Sequence, residues 1–284
     1  MKTVLLKKVL LVVGLVGLLV CLPLLGAAGQ KVIVNSWDGV EYNVIHPLYD
    51  SGNLPNLHAL GNGIMHQLTD NTKCFSNFSR ACRCMQTDTK CQHATMLTGV
   101  LADQHGVTSN TCYRRIPPEL TVYYDLYPSV KTAHIVTKSQ NVGKPTFGGI
   151  TNIVNVFYAS ETITIPQVTD KVIDLINQWW DEDFFIFLHF REPDMTGHIY
   201  GDTSPRYTAA IMQNDVQLGR IIDALKAKDI LDKTAIYVLS DHGFGKPGPR
   251  LHTGTPNTFI VSNDTSVNNL YMNEVADLIL KNFP

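Results

Sequence analysis

The 284-residue chain is 44% hydrophobic and 17% charged, with a formal net charge of −2. That composition describes a globular protein with a sizeable core. It excludes a strongly basic nucleic-acid-binding surface, since no basic run occurs after the N-terminal segment. Residues 1–29 read as an export segment. Lys2, Lys7 and Lys8 precede an apolar run over 9–25, and Gly26, Ala27, Ala28 and Gly29 offer small residues for cleavage. The apolar run approaches the length that crosses a bilayer, so an uncleaved anchor, tethering the protein to a membrane through residues 9–29, is the alternative. Either way the protein is expected to be exported: secreted, periplasmic, or tethered facing outside. Cys21 is not expected to be lipidated, because Val20 is too large and the apolar run continues past it.

Residues 31–35 (KVIVN) are a β-branched run and predict a first buried strand, followed by Trp37-Asp38-Gly39 at its C-terminal end. A helix over 54–60 and a strand over 63–68 are expected next. Pro117-Pro118 precedes a helix over 120–126, and residues 132–137 (TAHIVT) form a strand. Residues 139–165 show weak periodicity and read as a loop covering the substrate side. Residues 168–180 carry apolar side chains at helical spacing, and residues 184–190 (FFIFLHF) form a central strand apolar on both faces. Ser204 and Pro205 predict the N-cap and first position of a long helix. Strands over 234–240 and 258–262 and a closing amphipathic helix over 267–280 complete the chain. Strands alternating with helices predict an α/β fold with a mostly parallel central sheet and helices on both faces. Residues 30–284 then form a single domain. Cys74, Cys82, Cys84, Cys91 and Cys112 cluster in one region. In an exported chain such a cluster reads first as disulfides. Their odd number leaves at least one free or paired with another chain, and the pairing is not fixed by spacing.

Within residues 89–110 (TKCQHATMLTGVLADQHGVTSN), Thr89 stands at the start of a predicted short helix that Gly99 ends with a left-handed C-cap. A helix N-terminus presents unpaired N–H groups and the positive end of the dipole, a setting that suits a hydroxyl carrying a phosphoryl group. It equally suits a plain N-cap. What separates the two readings is a set of Asp and His residues, each placed after a predicted strand. These are Asp38, then Asp194 and His198 in EPDMTGH, then Asp241 and His242 in SDHGFG, with His252 further on. The C-terminal ends of strands are where open α/β sheets build sites. Carboxylate oxygen and imidazole nitrogen are zinc-type ligands, and with Thr89 the set is large enough for two metals.

These motifs, from IVNSWDGV through TKCQHATMLTG, HGV, EPDMTGH and SDHGFG to His252, resemble the alkaline phosphatase superfamily, most closely its type I phosphodiesterase/nucleotide pyrophosphatase branch. The resemblance implies a three-layer sandwich acting as one catalytic domain. It implies one zinc ion held by Asp194, His198 and His252, and a second held by Asp38, Asp241 and His242 facing the nucleophile Thr89. It also places Asn110, shortly after His105, on a non-bridging phosphate oxygen. Sulfatases of the superfamily carry a Cys-x-Pro-Ser-Arg pattern, whereas here the turn reads TKCQH and Asp38 is the acid after Trp37. Two departures from the diesterase branch bear on substrate. Lys90-Cys91-Gln92 replaces its Phe-Pro-Asn, and its usual insertion before the last His is missing.

The function these features imply is an exported two-zinc hydrolase of phosphate esters, a phosphodiesterase or nucleotide pyrophosphatase working through a phospho-threonine intermediate. Its substrate would be a small phosphate ester or nucleotide. The rival enzyme is a sulfate, phosphonate or phosphate monoester hydrolase, with Arg114 and Arg115 near enough in sequence to serve a monoester. The rival non-enzyme is an exported binding module that keeps the fold and loses the metals.

Overall fold

The strands in chain order are β1 (Lys31–Trp37), β2 (His66–Thr69), β3 (Lys131–Val136), β4 (Val156–Ala159), β5 (Phe184–Phe190), β6 (Thr234–Leu239), β7 (Asn257–Ser262) and β8 (Leu270–Tyr271). The computed structural model describes residues 30–70, 88–244, 252 and 257–284. The expected export segment and Cys74, Cys82 and Cys84 lie outside the described residues. One mixed sheet runs in the order β4-β3-β5-β1-β6-β7-β2-β8. Its first five strands are parallel, β7 is antiparallel to both β6 and β2, and β8 runs parallel to β2.

Alternation along the central strands explains why both faces are covered. Ile33 and Trp37 of β1, with Phe184, Ile186, Leu188 and Phe190 of β5, belong to one core. Val32, Val34, Phe185 and Phe187 belong to the other. Successive side chains of a strand point to opposite faces, so a run apolar throughout requires a layer on each side. The first core takes the helices Ile165–Trp179 and Pro205–Ala227 through Val168, Val172, Ile176, Ile211, Leu218 and Ile221. The second takes the helices Thr89–Thr98, Val122–Leu126 and Val275–Leu280. This is the three-layer α/β arrangement expected from the sequence.

The caps agree with local chemistry. Ser204 Oγ accepts from Tyr207 N, and Thr164 with Gln167 forms a capping box at the start of Ile165–Trp179. Two expectations are corrected. Residues 139–165 are not a loop: they contain short helices Ser139–Val142 and Lys144–Phe147, a 3-10 turn Gly148–Asn152 and the edge strand β4. Val142, Phe147 and Ile150 anchor them in the second core. Each piece is too short for the period of an apolar pattern to emerge. The closing helix over 267–280 is instead β8, a 3-10 turn Met272–Glu274 and the helix Val275–Leu280. Leu270 pairs with Leu68 there, so the sheet edge takes residues that helical spacing had claimed.

His134, buried in β3, shows how the second core treats a polar ring. Tyr123 OH lies 2.8 Å from Nδ1 and the Val142 carbonyl 2.7 Å from Nε2, while the ring stacks against Phe157 and Phe187. A neutral imidazole donating through Nε2 and accepting at Nδ1 satisfies both partners. Burial lowers its pKa to about 3 from 6.5. The unfolded chain therefore takes up a proton below about pH 6.5 that the folded chain refuses, and His134 costs stability progressively as pH falls from 6.5 toward 3. Urea unfolding between pH 7 and 4 is expected to show this loss, and His134→Phe, which cannot titrate, is expected to show a shallower one.

Candidate active site

Parallel strands in register deliver their C-terminal ends to one edge. Trp37 of β1 aligns with Phe190 of β5, Ser36 with Leu239 of β6, and Val136 of β3 with His189 of β5. The residues that follow each strand therefore meet: Asp38 after β1, Lys138 after β3, Asp194 after β5, and Asp241 and His242 after β6. The Asp38 amide donates to the Phe190 carbonyl at 2.9 Å, and the Asp194 amide donates to the Asp38 carbonyl at 3.1 Å, tying the first two turns together. Asp194 and His198 share the helix Asp194–Tyr200, one turn apart.

Thr89 is the first residue of the helix Thr89–Thr98, whose C-cap Gly99 has φ of 70° as expected. Its hydroxyl is 3.0 Å from His242 Nε2 and 3.5 Å from Asp38 Oδ1. Two groups of side chains have ligand atoms close enough for one ion each: Asp194, His198 and His252, and Asp38, Asp194 and His242. The first matches the trio expected from the sequence. The second takes in Asp194 where Asp241 was expected, with Asp241 Oδ2 still 3.3 Å from His242 Nε2. His252 Nε2 lies 3.2 Å from Asp194 Oδ1 and 3.1 Å from His198 Nε2. The side chains of Asp38, Asp194, Asp241 and His242 are fully buried, whereas those of His198 and His252 are 36% and 15% exposed. The site therefore opens to solvent on the His198 side.

Asn110 is brought to the same helix start. Its Oδ1 accepts from the Lys90 amide at 2.9 Å and from Asn141 Nδ2 at 3.0 Å, which assigns the other end of the amide as a donor. Arg114 packs against Gly106 and Arg115 against Gly148. His105 is also buried, its Nε2 3.1 Å from Thr95 Oγ1, and serves the packing of the helix Thr89–Thr98.

Three polar residues in the cluster went unread in the sequence. Lys138 Nζ donates to Asp194 Oδ2 at 2.7 Å, to Asp38 Oδ2 at 2.9 Å and to Thr89 Oγ1 at 3.1 Å. His189, within the apolar-looking β5, places Nε2 3.0 Å from Asp38 Oδ2. His93, one helical turn beyond Thr89, bridges Ser36 Oγ and the Thr89 carbonyl. Position alone could have found Lys138, since it follows a predicted strand just as Asp38 and Asp241 do.

The charges do not balance evenly. Burial pushes the Asp38 carboxyl up, but Lys138 and His189 win and hold it well below the usual carboxylate range. Burial and Asp38 likewise raise Asp194, and Lys138 and His252 bring it down to about 2. For Asp241, burial and the Asp38 charge prevail and push it well above the usual range. Burial and neighbouring His252 lower His242 to about 3, keeping its ring neutral and able to ligate. Among the described residues, Asp241 Oδ2 and His242 Nδ1 are buried without a hydrogen-bond partner, and Asp194 Oδ1 has the His252 ring at 3.2 Å. Unsatisfied ligand-type atoms beside surplus buried acid are what a divalent cation would complete, so the residues present fit metal binding.

A scan of protein families matches residues 32–269 to the type I phosphodiesterase / nucleotide pyrophosphatase model. The chain belongs to that family. Among curated relatives, ectonucleotide pyrophosphatase/phosphodiesterase family member 7 of Rattus norvegicus is 26% identical over 261 residues, covering 84% of this chain and 56% of the relative. The chain thus spans about half the length of the curated relatives it matches. Murine ectonucleotide pyrophosphatase / phosphodiesterase 5, solved as an inactive variant in complex with AMP, superposes with a TM-score of 0.52 at 21% identity over 75% of this chain and 57% of that one. A lipoteichoic acid synthase from Listeria monocytogenes superposes with a TM-score of 0.59 at 16% identity, over 90% and 72%. Both support the alkaline-phosphatase-like fold expected from the motifs.

Gly39 makes the close approach of these turns feasible. It has φ of +71°, and a Cβ there would lie 2.7 Å from both Cβ and Oδ1 of Asp194. Gly39→Ala is expected to cost roughly 1–3 kcal/mol in a denaturant melt, through the left-handed backbone and the clash together.

Proposed function

We infer that the chain is an exported metal-dependent phosphoric ester hydrolase, a phosphodiesterase or nucleotide pyrophosphatase with Thr89 as its nucleophile. The observation that carries this reading is the position of the Thr89 hydroxyl at a helix N-terminus, 3.0 Å from His242 and 3.5 Å from Asp38, within the buried acid cluster. Family membership supports the reaction class. Residues 30–284 act as one catalytic domain, and residues 1–29 direct export or anchor the chain. The same export reading puts Cys91 in a disulfide.

Asp194, His198 and His252 would hold one zinc ion, and Asp38, Asp241 and His242 the other. When bound, a pair of divalent ions lowers the pKa of an adjacent hydroxyl and offsets charge on the attacking and leaving oxygens. Thr89 Oγ1 then gives up its proton and attacks phosphorus in line. A Thr89 Oγ–P bond forms as the bond to the leaving alkoxide breaks. Water attacks the phospho-threonine from the vacated side, which releases phosphate monoester and restores the hydroxyl. Asn110, held by Lys90 and Asn141, donates to a non-bridging oxygen together with the Thr89 backbone N–H. His93 and His189 fix the cluster from behind: His93 is bonded to the Thr89 carbonyl, and His189 to Asp38.

Thr89→Ala is expected to abolish turnover of an aryl phosphodiester while leaving zinc content, measured by mass spectrometry of the metal, near that of the parent. Full activity in that variant would contradict the scheme. Chelator treatment is expected to remove activity, and zinc to restore it. A panel of aryl phosphodiester, monoester and sulfate substrates is expected to give the highest kcat/KM for the diester; a sulfate preference would replace the diesterase reading.

A further inference from the structure

The Lys138 ammonium stands where the two groups of ligand atoms adjoin. Its donors reach Asp194 Oδ2 at 2.7 Å, Asp38 Oδ2 at 2.9 Å and Thr89 Oγ1 at 3.1 Å. Asp194 belongs to both candidate metal groups and Asp38 to one of them. A zinc–oxygen bond is about 2.0–2.2 Å long. An ion at that distance from these two oxygens and an ammonium bonded to the same two oxygens would overlap. Even with the carboxylates turned to offer their other oxygens, a divalent ion and an ammonium within a few ångströms repel in a buried setting. The lysine is also not an incidental surface group. Its side chain is 14% exposed. Its backbone is fixed as the N-cap of Ser139–Val142, with its carbonyl accepting from the Asn141 and Val142 amides. Just before it, Thr137 donates to the His189 carbonyl at 3.0 Å and accepts from the Arg191 amide at 2.7 Å, locking the end of β3 to the end of β5. Burial would lower the ammonium's pKa, but Asp38 and Asp194 outweigh it and keep the group charged.

We propose that Lys138 is a tethered counter-ion that neutralises the Asp38–Asp194 pair in the metal-free protein, so that metal loading is an exchange in which the ammonium must leave that position. This rests on the metal-binding reading above. Two consequences follow from charge alone. Lys138 weakens the binding of divalent ions, and it stabilises the metal-free fold by compensating buried carboxylates that would otherwise repel each other.

The test is calorimetric titration of zinc into the metal-free full chain, its Lys138→Met variant and its Lys138→Arg variant, with thermal melts of each with and without zinc. Lys138→Met is expected to bind zinc about tenfold more tightly or better, and to melt at lower temperature than the parent only when metal-free. Lys138→Arg keeps the charge and is expected to stay within a few-fold of the parent. In the parent, amine acylation mapped by mass spectrometry is expected to label Lys138 faster once zinc is bound. That readout stands if Lys138→Met fails to fold. Equal zinc affinity in parent and Lys138→Met, or Lys138 labelling unchanged by zinc, overturns the proposal and leaves the metal reading intact. No zinc bound by any form sinks the metal reading itself.

Discussion

Three carboxylates, those of Asp38, Asp194 and Asp241, are wholly buried at the ends of neighbouring parallel strands, where their mutual repulsion meets little screening. The backbone puts them there regardless of whether their charges are met. β1, β5 and β6 pair in register, and the turns that follow are tied by amide hydrogen bonds between Asp38, Phe190 and Asp194. The fold therefore commits to a concentration of negative charge that only cations or protons can relieve. Lys138 supplies one cation, and burial with the Asp38 charge pushes the Asp241 carboxyl up. The histidines His198, His242 and His252 complete a ligand set whose chemistry suits divalent metal.

The catalytic reading grows out of the same constraint. A hydroxyl placed beside such a cluster, at the start of a buried helix, has what nucleophilic activation needs: nearby positive charge when metal is held, and backbone N–H groups for a developing oxyanion. Asn110 and Asn141 are bonded to each other at the same helix start, beside the Lys90 amide. The more exposed flank of the cluster lies at His198 and His252.

Much of this was legible in the sequence, because strand-end residues carry their own signpost. KVIVN, FFIFLHF and TAIYVLS announce buried parallel strands, and the acids and histidines directly after them were identifiable by position. The place of Thr89 at the start of a short helix was likewise readable from its neighbours. What stayed hidden obeyed different physics. His189 sits inside a run that reads as uniformly apolar, and its role comes from a cross-strand neighbour that no local pattern reveals. Asn141 lies in a four-residue helix, too short to show periodicity. Lys138 followed a predicted strand, but a lysine at the head of a polar segment reads as solvated, and its partners lie 100 and 56 residues away. The break of the final helix at Leu270 was set by pairing with Leu68, a tertiary choice that overrode apolar spacing.

Activation of Thr89 requires that these strand-end side chains hold two metal ions beside it. Anomalous diffraction at the zinc absorption edge, from crystals grown or soaked with zinc, tests it most directly. Two peaks are expected: one among Asp194, His198 and His252, the other among Asp38, Asp241 and His242 next to the Thr89 hydroxyl. No peak at this cluster, or zinc found only on side chains elsewhere, would contradict it.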